Sequence, residues 1–140
     1  MRISDNLYIN EKNINTFNNN LLFLKNSDIY VNNKIINTHH PVLILSNKFL
    51  THHGHFGQDV LWSFYYYYEL KKKYQTVILI LPGGSNCNYP LIEWLKLMDI
   101  TDNYMLSNNI SINISNNTNN KPIFFINNSY NFESFLKTVV

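Results

Sequence analysis

At 140 residues and 16.6 kDa, the chain has the length of one domain. Its 45% hydrophobic and 15% aromatic content excludes a chain that is disordered throughout, because such chains lack the apolar side chains to bury. The net charge of +2 is too mild for a nucleic-acid partner, which calls for lysine and arginine clustered on one face.

Charged residues make up only 14% of the chain and asparagine takes their place; alanine is absent and Arg2 is the sole arginine. That is the composition of an AT-rich genome, so an asparagine run carries less meaning here than elsewhere. A single cysteine, Cys87, excludes an intramolecular disulfide and a cysteine-based zinc site. The amino terminus lacks an apolar signal core. The longest apolar run, Val77 to Leu81, is far short of the ~20 residues of a membrane span. The expectation is a cytoplasmic chain with no membrane partner.

In chain order, residues 1–20 are polar and poorly periodic, and read as a lead-in to a single domain over 21–140. Leu21 to Leu24 is a short apolar run. Ile29-Tyr30-Val31 and Lys34-Ile35-Ile36 flank Asn32-Asn33, and asparagine tolerates the positive φ of a tight turn. An antiparallel hairpin is expected there. Val42 to Leu45 is a continuous apolar run of the kind a buried strand shows.

A helical pattern follows, from about His55 to Lys73. Phe56, Val60, Leu61, Phe64, Tyr67 and Tyr68 recur in it at steps of three and four. Lys71-Lys72-Lys73, the one basic run, fits the last turn of that helix. Val77 to Leu81 is the clearest strand, ended by Pro82-Gly83-Gly84. Asn88 can cap a second helix with Pro90 in its first turn and a stripe of Leu91, Leu95 and Met98. Beyond Ile100 the candidate strands are 104–106, 110–114 and 122–126, and a terminal helix is expected around Phe132 to Leu136. Strand, helix, strand, helix implies α/β architecture. The fold expected is a Rossmann-like layered domain with a mainly parallel sheet and an N-terminal β-hairpin. The 42–45 and 77–81 strands are then parallel neighbours.

All five histidines fall between His39 and His55. His55 and Asp59 are spaced i, i+4 at a helix start, so they share a face. A carboxylate there can orient or charge-tune the imidazole, which is the geometry of an acid/base pair. The same spacing also suits a capping histidine with an acid stabilising the first turn.

The segment His55-Phe56-Gly57-Gln58-Asp59-Val60-Leu61 resembles glycosyltransferase family 61, the group of plant xylosyltransferases and extracellular O-GlcNAc transferases. That family has an Asn-Tyr-x-His-Trp-x-x-Asp-x-Leu-Pro pattern at a helix start. Here His55, Phe56, Asp59 and Leu61 hold the places of its histidine, aromatic, aspartate and leucine. The family's next strand, ending near a proline, matches Ile78 to Pro82. Its helix ending in Leu-x-Leu-x-Gly-Ile matches Glu93 to Ile100, with Asp99 in place of the glycine. His52-His53-Gly54 replaces the Asn-Tyr lead, and Trp62-Ser63 replaces a Pro-Arg pair. Order and spacing agree from about Thr51 to Thr101.

The resemblance implies the first lobe of a two-lobed, inverting glycosyltransferase. It would transfer a sugar from a nucleotide sugar to a hydroxyl of a glycan or protein acceptor, and be incomplete without a second catalytic lobe. His55 and Asp59 would be the catalytic pair, with His53, Gly83, Gly84, Ser85 and Asn86 contacting substrate. The nucleotide sugar is the donor substrate, and no metal or other cofactor is implied. Gly83 to Asn86 lie where a parallel strand ends, where backbone amides can cradle a phosphate, although a Gly-Gly pair also makes an ordinary turn.

Two other functions remain open. One is a non-catalytic α/β binding module. The other is a histidine-rich metal-dependent hydrolase, since imidazole is a common zinc ligand. In His53, His55 and Asp59, however, three residues precede the acid where a metallo-β-lactamase motif has one.

Overall fold

The structure, a computed structural model, describes residues 2–4, 7–8, 14–18, 21–25, 27–47, 57, 60–82, 89–114, 122–126 and 136–137. Within 1–20 three short strands form: β1 (Arg2–Ser4), β2 (Leu7–Tyr8) and β3 (Ile14–Thr16). Strands of two or three residues are too short to show a period, which is why this stretch reads as a lead-in. They are followed by β4 (Leu21–Leu24), β5 (Ser27–Val31), β6 (Lys34–Ile35) and β7 (Val42–Ile44).

A 3₁₀ turn at Leu61–Ser63 leads into α1 (Phe64–Tyr74). Then come β8 (Ile78–Leu81), α2 (Tyr89–Leu97), β9 (Tyr104–Leu106), β10 (Ile110–Ile114) and β11 (Ile123–Ile126).

The central sheet has six strands in the order β3-β4-β11-β7-β8-β9. The four strands from β11 to β9 are mutually parallel, while β3 and β4 run antiparallel on one flank. The strands expected at 42–45 and 77–81 are parallel neighbours, with Val42, Leu43 and Ile44 opposite Ile78, Leu79 and Ile80. The ladder continues through Leu45 N–H to the Ile80 carbonyl at 2.9 Å.

Period-2 alternation divides these strands between two cores. Leu43, Leu45, Leu79, Leu81, Phe124 and Ile126 face the helices, against Phe64, Tyr66, Tyr67, Leu70, Leu91 and Leu95. Val42, Ile44, Ile78, Ile80, Ile123 and Phe125 face the other way, against Ile29, Val31 and Ile110. Burial on both faces is why the sequence reads as unbroken apolar runs.

The second core is closed by a three-stranded antiparallel sheet, β10-β5-β6. Its strands alternate: Ile29 and Val31 point in while Asp28 and Tyr30 are half exposed. The hairpin expected at Asn32-Asn33 joins β5 to β6, with φ of 53° and 64° at the two asparagines. Both central residues in the left-handed region make the turn whose twist matches a two-residue hairpin. Among the described residues, then, the layers are helices, mixed sheet and small sheet. A Rossmann-like layering sets helices on both faces; here α1 and α2 lie on one face and strands cover the other.

Candidate functional site

Strand polarity fixes which segments share an edge of the sheet. The chain enters β7 just after His39 and His40, which are exposed at the amino edge. It leaves β7 at the carboxyl edge, and only then come His52, His53 and His55. In chain order, two of the five histidines precede β7 and three follow it. The segment after β8 begins at the buried Pro82 on the carboxyl edge of the neighbouring strand.

So the sequence around His53, His55 and Asp59 and the sequence Gly83, Gly84, Ser85 and Asn86 both issue from the carboxyl ends of adjacent parallel strands. Open α/β sheets bind ligands outside that edge, at the point where strand order reverses. The reversal here lies at β7. From it the chain steps to β8 and β9 on one side, and β11 takes the other side. The seven residues themselves lie outside the described residues. So does Cys87.

Gly57, between His55 and Asp59, and Val60 are in wider, π-type helical turns; a 3₁₀ turn and then regular α-helix follow. The regular helix thus starts later than the apolar period suggests. Ser63 donates its hydroxyl to the Val60 carbonyl at 2.5 Å, satisfying a buried group where the pitch changes. Among the described residues, a Cβ at Gly57 would meet the Trp94 ring at 3.9 Å, an ordinary contact. The α1 entry is therefore seated against α2.

The basic run lies at the opposite edge. α1 connects the carboxyl end of β7 to the amino end of β8, so Lys71, Lys72 and Lys73 in its last turn sit by the amino edge. There Lys73 Nζ is 4.7 Å from the Phe17 ring centroid and 5.4 Å from that of Tyr74. These lysines serve the helix carboxyl end and aromatic faces, at the edge opposite Pro82.

Sequence reasoning missed a second feature. An open hollow of about 400 Å³ is lined by Gly57, Leu61, Trp62, Phe64, Tyr65, Tyr68 and Met98. Tyr68 donates its hydroxyl to the Met98 carbonyl at 2.8 Å, tying α1 to the end of α2. Burial raises the Tyr68 pKa, with the Asp99 carboxylate adding to it. Burial likewise raises Tyr67, with Tyr68 and Asp102 adding to it. The sequence signal was the run Phe64 to Tyr68. Successive helix residues point in different directions, so Phe64, Tyr66 and Tyr67 are buried while Tyr65 and Tyr68 stay exposed.

Among the described residues no group of three histidine, cysteine or acidic side chains could hold a metal ion, and no helix is long and apolar enough to cross a membrane. Comparison with family models, curated proteins and solved structures returned no match.

Proposed function

We propose that the chain is a sugar-transfer module resembling the first lobe of a family 61 glycosyltransferase, with His55 as the base on an acceptor hydroxyl and Asp59 orienting it. One observation carries the reading: β7 and β8 are adjacent and parallel, so the two segments that bear the candidate residues leave the sheet at the same edge. Asp99 adds to it. It stands where the family has glycine, and its φ of 60° is the left-handed backbone that glycine favours.

Inverting transfer needs a base on the acceptor and positive charge or oriented dipoles on the leaving diphosphate. His53, His55 and Asp59 supply groups for the first task. For the second the reading assigns the amides of Gly83 to Asn86, whose segment follows β8 in the chain, while the lysine run belongs to the amino edge. The module accordingly works with a second lobe that binds the nucleotide.

Incubating the purified chain with a panel of nucleotide sugars and following nucleotide release tests this. No release by the chain alone, and release once a separately encoded second lobe is added, abolished by His55→Ala, is the expected outcome. Release by the chain alone, abolished by His55→Ala, would make it a complete enzyme. No release in any pairing would leave a binding module, a reading favoured by the strands that cover the second face in place of helices.

A further inference from the structure

The hollow at the start of α1 has a chemistry that the sugar-transfer reading does not use. Its walls are aromatic and thioether: Trp62, Tyr65, Tyr68 and Met98 with Leu61. Tyr65 is 37% exposed and Tyr68 40%, so ring surface remains available to a ligand. Hydrogen-bonding capacity is scarce, because the Tyr68 hydroxyl already donates to the Met98 carbonyl. A neutral polyol entering would strip its hydroxyls of water with few partners in return.

Among the described residues, two carboxylates act on this face. Met98 is followed by Asp99, which is exposed and has a left-handed backbone, and Asp102 follows three residues later. Both carboxylates act on the tyrosines of this face, Asp99 on Tyr68 and Asp102 on Tyr67. Two described lysines on this side of the sheet have partners of their own. Lys96 pairs with Glu93 at 3.4 Å, and Lys71 sits 5.7 Å from the centroid of Tyr67, a ring outside the hollow.

Aromatic rings around an apolar recess, with carboxylates acting on those rings' face, attract a cation that carries its charge on methyl groups. Such an ion gains from the ring quadrupoles and loses little hydration on entry. The volume suits it, since small-molecule sites begin at about 300 Å³.

We propose that the hollow formed by Trp62, Tyr65, Tyr68 and Met98, with the exposed Asp99 next to Met98 in the chain, is a binding site for a trimethylammonium group of the choline type. The described residues on which the site is argued are not those to which the sugar-transfer reading assigns a role, so the proposal holds whether or not the chain transfers sugar.

The test is calorimetric titration of the full chain with choline, with a peptide carrying trimethyl-lysine, and with 3,3-dimethylbutan-1-ol, the uncharged carbon analogue of choline. Saturable binding of a trimethylammonium compound, at least about five-fold tighter than the neutral analogue, is expected, because cation–π attraction at such sites is on the order of 1 kcal/mol. Which of choline and the peptide binds tighter identifies the source of the group. Tyr65→Leu removes the ring but keeps an apolar side chain at an exposed position. Asp99→Asn removes the charge with a residue that tolerates left-handed backbone. Each is expected to weaken binding several-fold with circular dichroism unchanged. Equal affinity for the neutral analogue would overturn the proposal, since the hollow would then be merely apolar. So would no saturation by either cation up to about 10 mM, a concentration at which even a Kd of 1 mM would be seen.

Discussion

The end of α2 shows how far a single residue acts. Ile100 N–H donates to the Leu95 carbonyl at 2.8 Å, and Asp99 N–H donates to that of Lys96 at 3.0 Å. With Asp99 at φ 60° this is a Schellman closure, and the buried Ile100 and Leu95 belong to one core. Glycine fits that backbone at less cost than aspartate. Asp99→Gly is therefore expected to raise stability by about 0.5–1 kcal/mol in urea unfolding while weakening trimethylammonium binding. A stability gain with unchanged binding would separate the cap from the hollow.

The tyrosines make a pH prediction at the same scale. The folded pKa of Tyr67 and of Tyr68 is raised, first by burial and then by neighbouring groups. The folded state thus holds those protons more tightly than the unfolded chain does. Their stabilising contribution is intact below the unfolded tyrosine value of about 10 and is lost as pH rises through the higher folded values. Tm is expected to fall above about pH 10, and less steeply in Tyr68→Phe. A Tm flat through tyrosine ionisation, followed by absorbance, would contradict this.

At the scale of elements, the small sheet earns its place through one face. Ile29 is fully buried, whereas Ile35 on the hairpin's other strand is 48% exposed. Ile29→Ala should cost about 2–4 kcal/mol through lost burial and the cavity left behind, and Ile35→Ala under about 0.5 kcal/mol. Similar losses at both positions would mean that β5 and β6 do not close the second core as described.

The link between hairpin and sheet is polar. The buried Ser107 donates to Asn32 Oδ1 at 2.7 Å and accepts from Asn109 N–H at 3.0 Å, and Asn32 N–H donates to the Asn109 carbonyl at 2.8 Å. The turn asparagine legible in the sequence thus has a tertiary partner seventy-five residues away that no local pattern announces.

For the whole molecule, His39 and His40 precede β7 in the chain and the later histidines follow it, and the spacing of His53, His55 and Asp59 departs from the metallo-β-lactamase motif. Zinc titration of the tag-free chain is expected to show no stoichiometric sub-micromolar site. A tight site lost in both His53→Ala and His55→Ala would instead favour the metal-dependent reading.

The sequence by itself determined the elements whose physics is local. Val42 to Leu45 and Val77 to Leu81 are apolar on every residue because both faces of their sheet are covered. Asn32-Asn33 makes its turn because asparagine tolerates positive φ, and Leu91 and Leu95 form a stripe because helix period sets them on one face. The sequence could also order the candidate residues after those strands, since polarity follows once the strands are parallel.

Tertiary structure alone decided what covers the second face. The sequence of an apolar strand records only that both sides are buried, and a helix and a sheet bury it equally well. It also decided the pairing of β11 beside β7, a contact between segments some eighty residues apart in number. Finally it decided the hollow, because Met98 comes to Tyr68 only when α1 and α2 pack on the same face of the sheet.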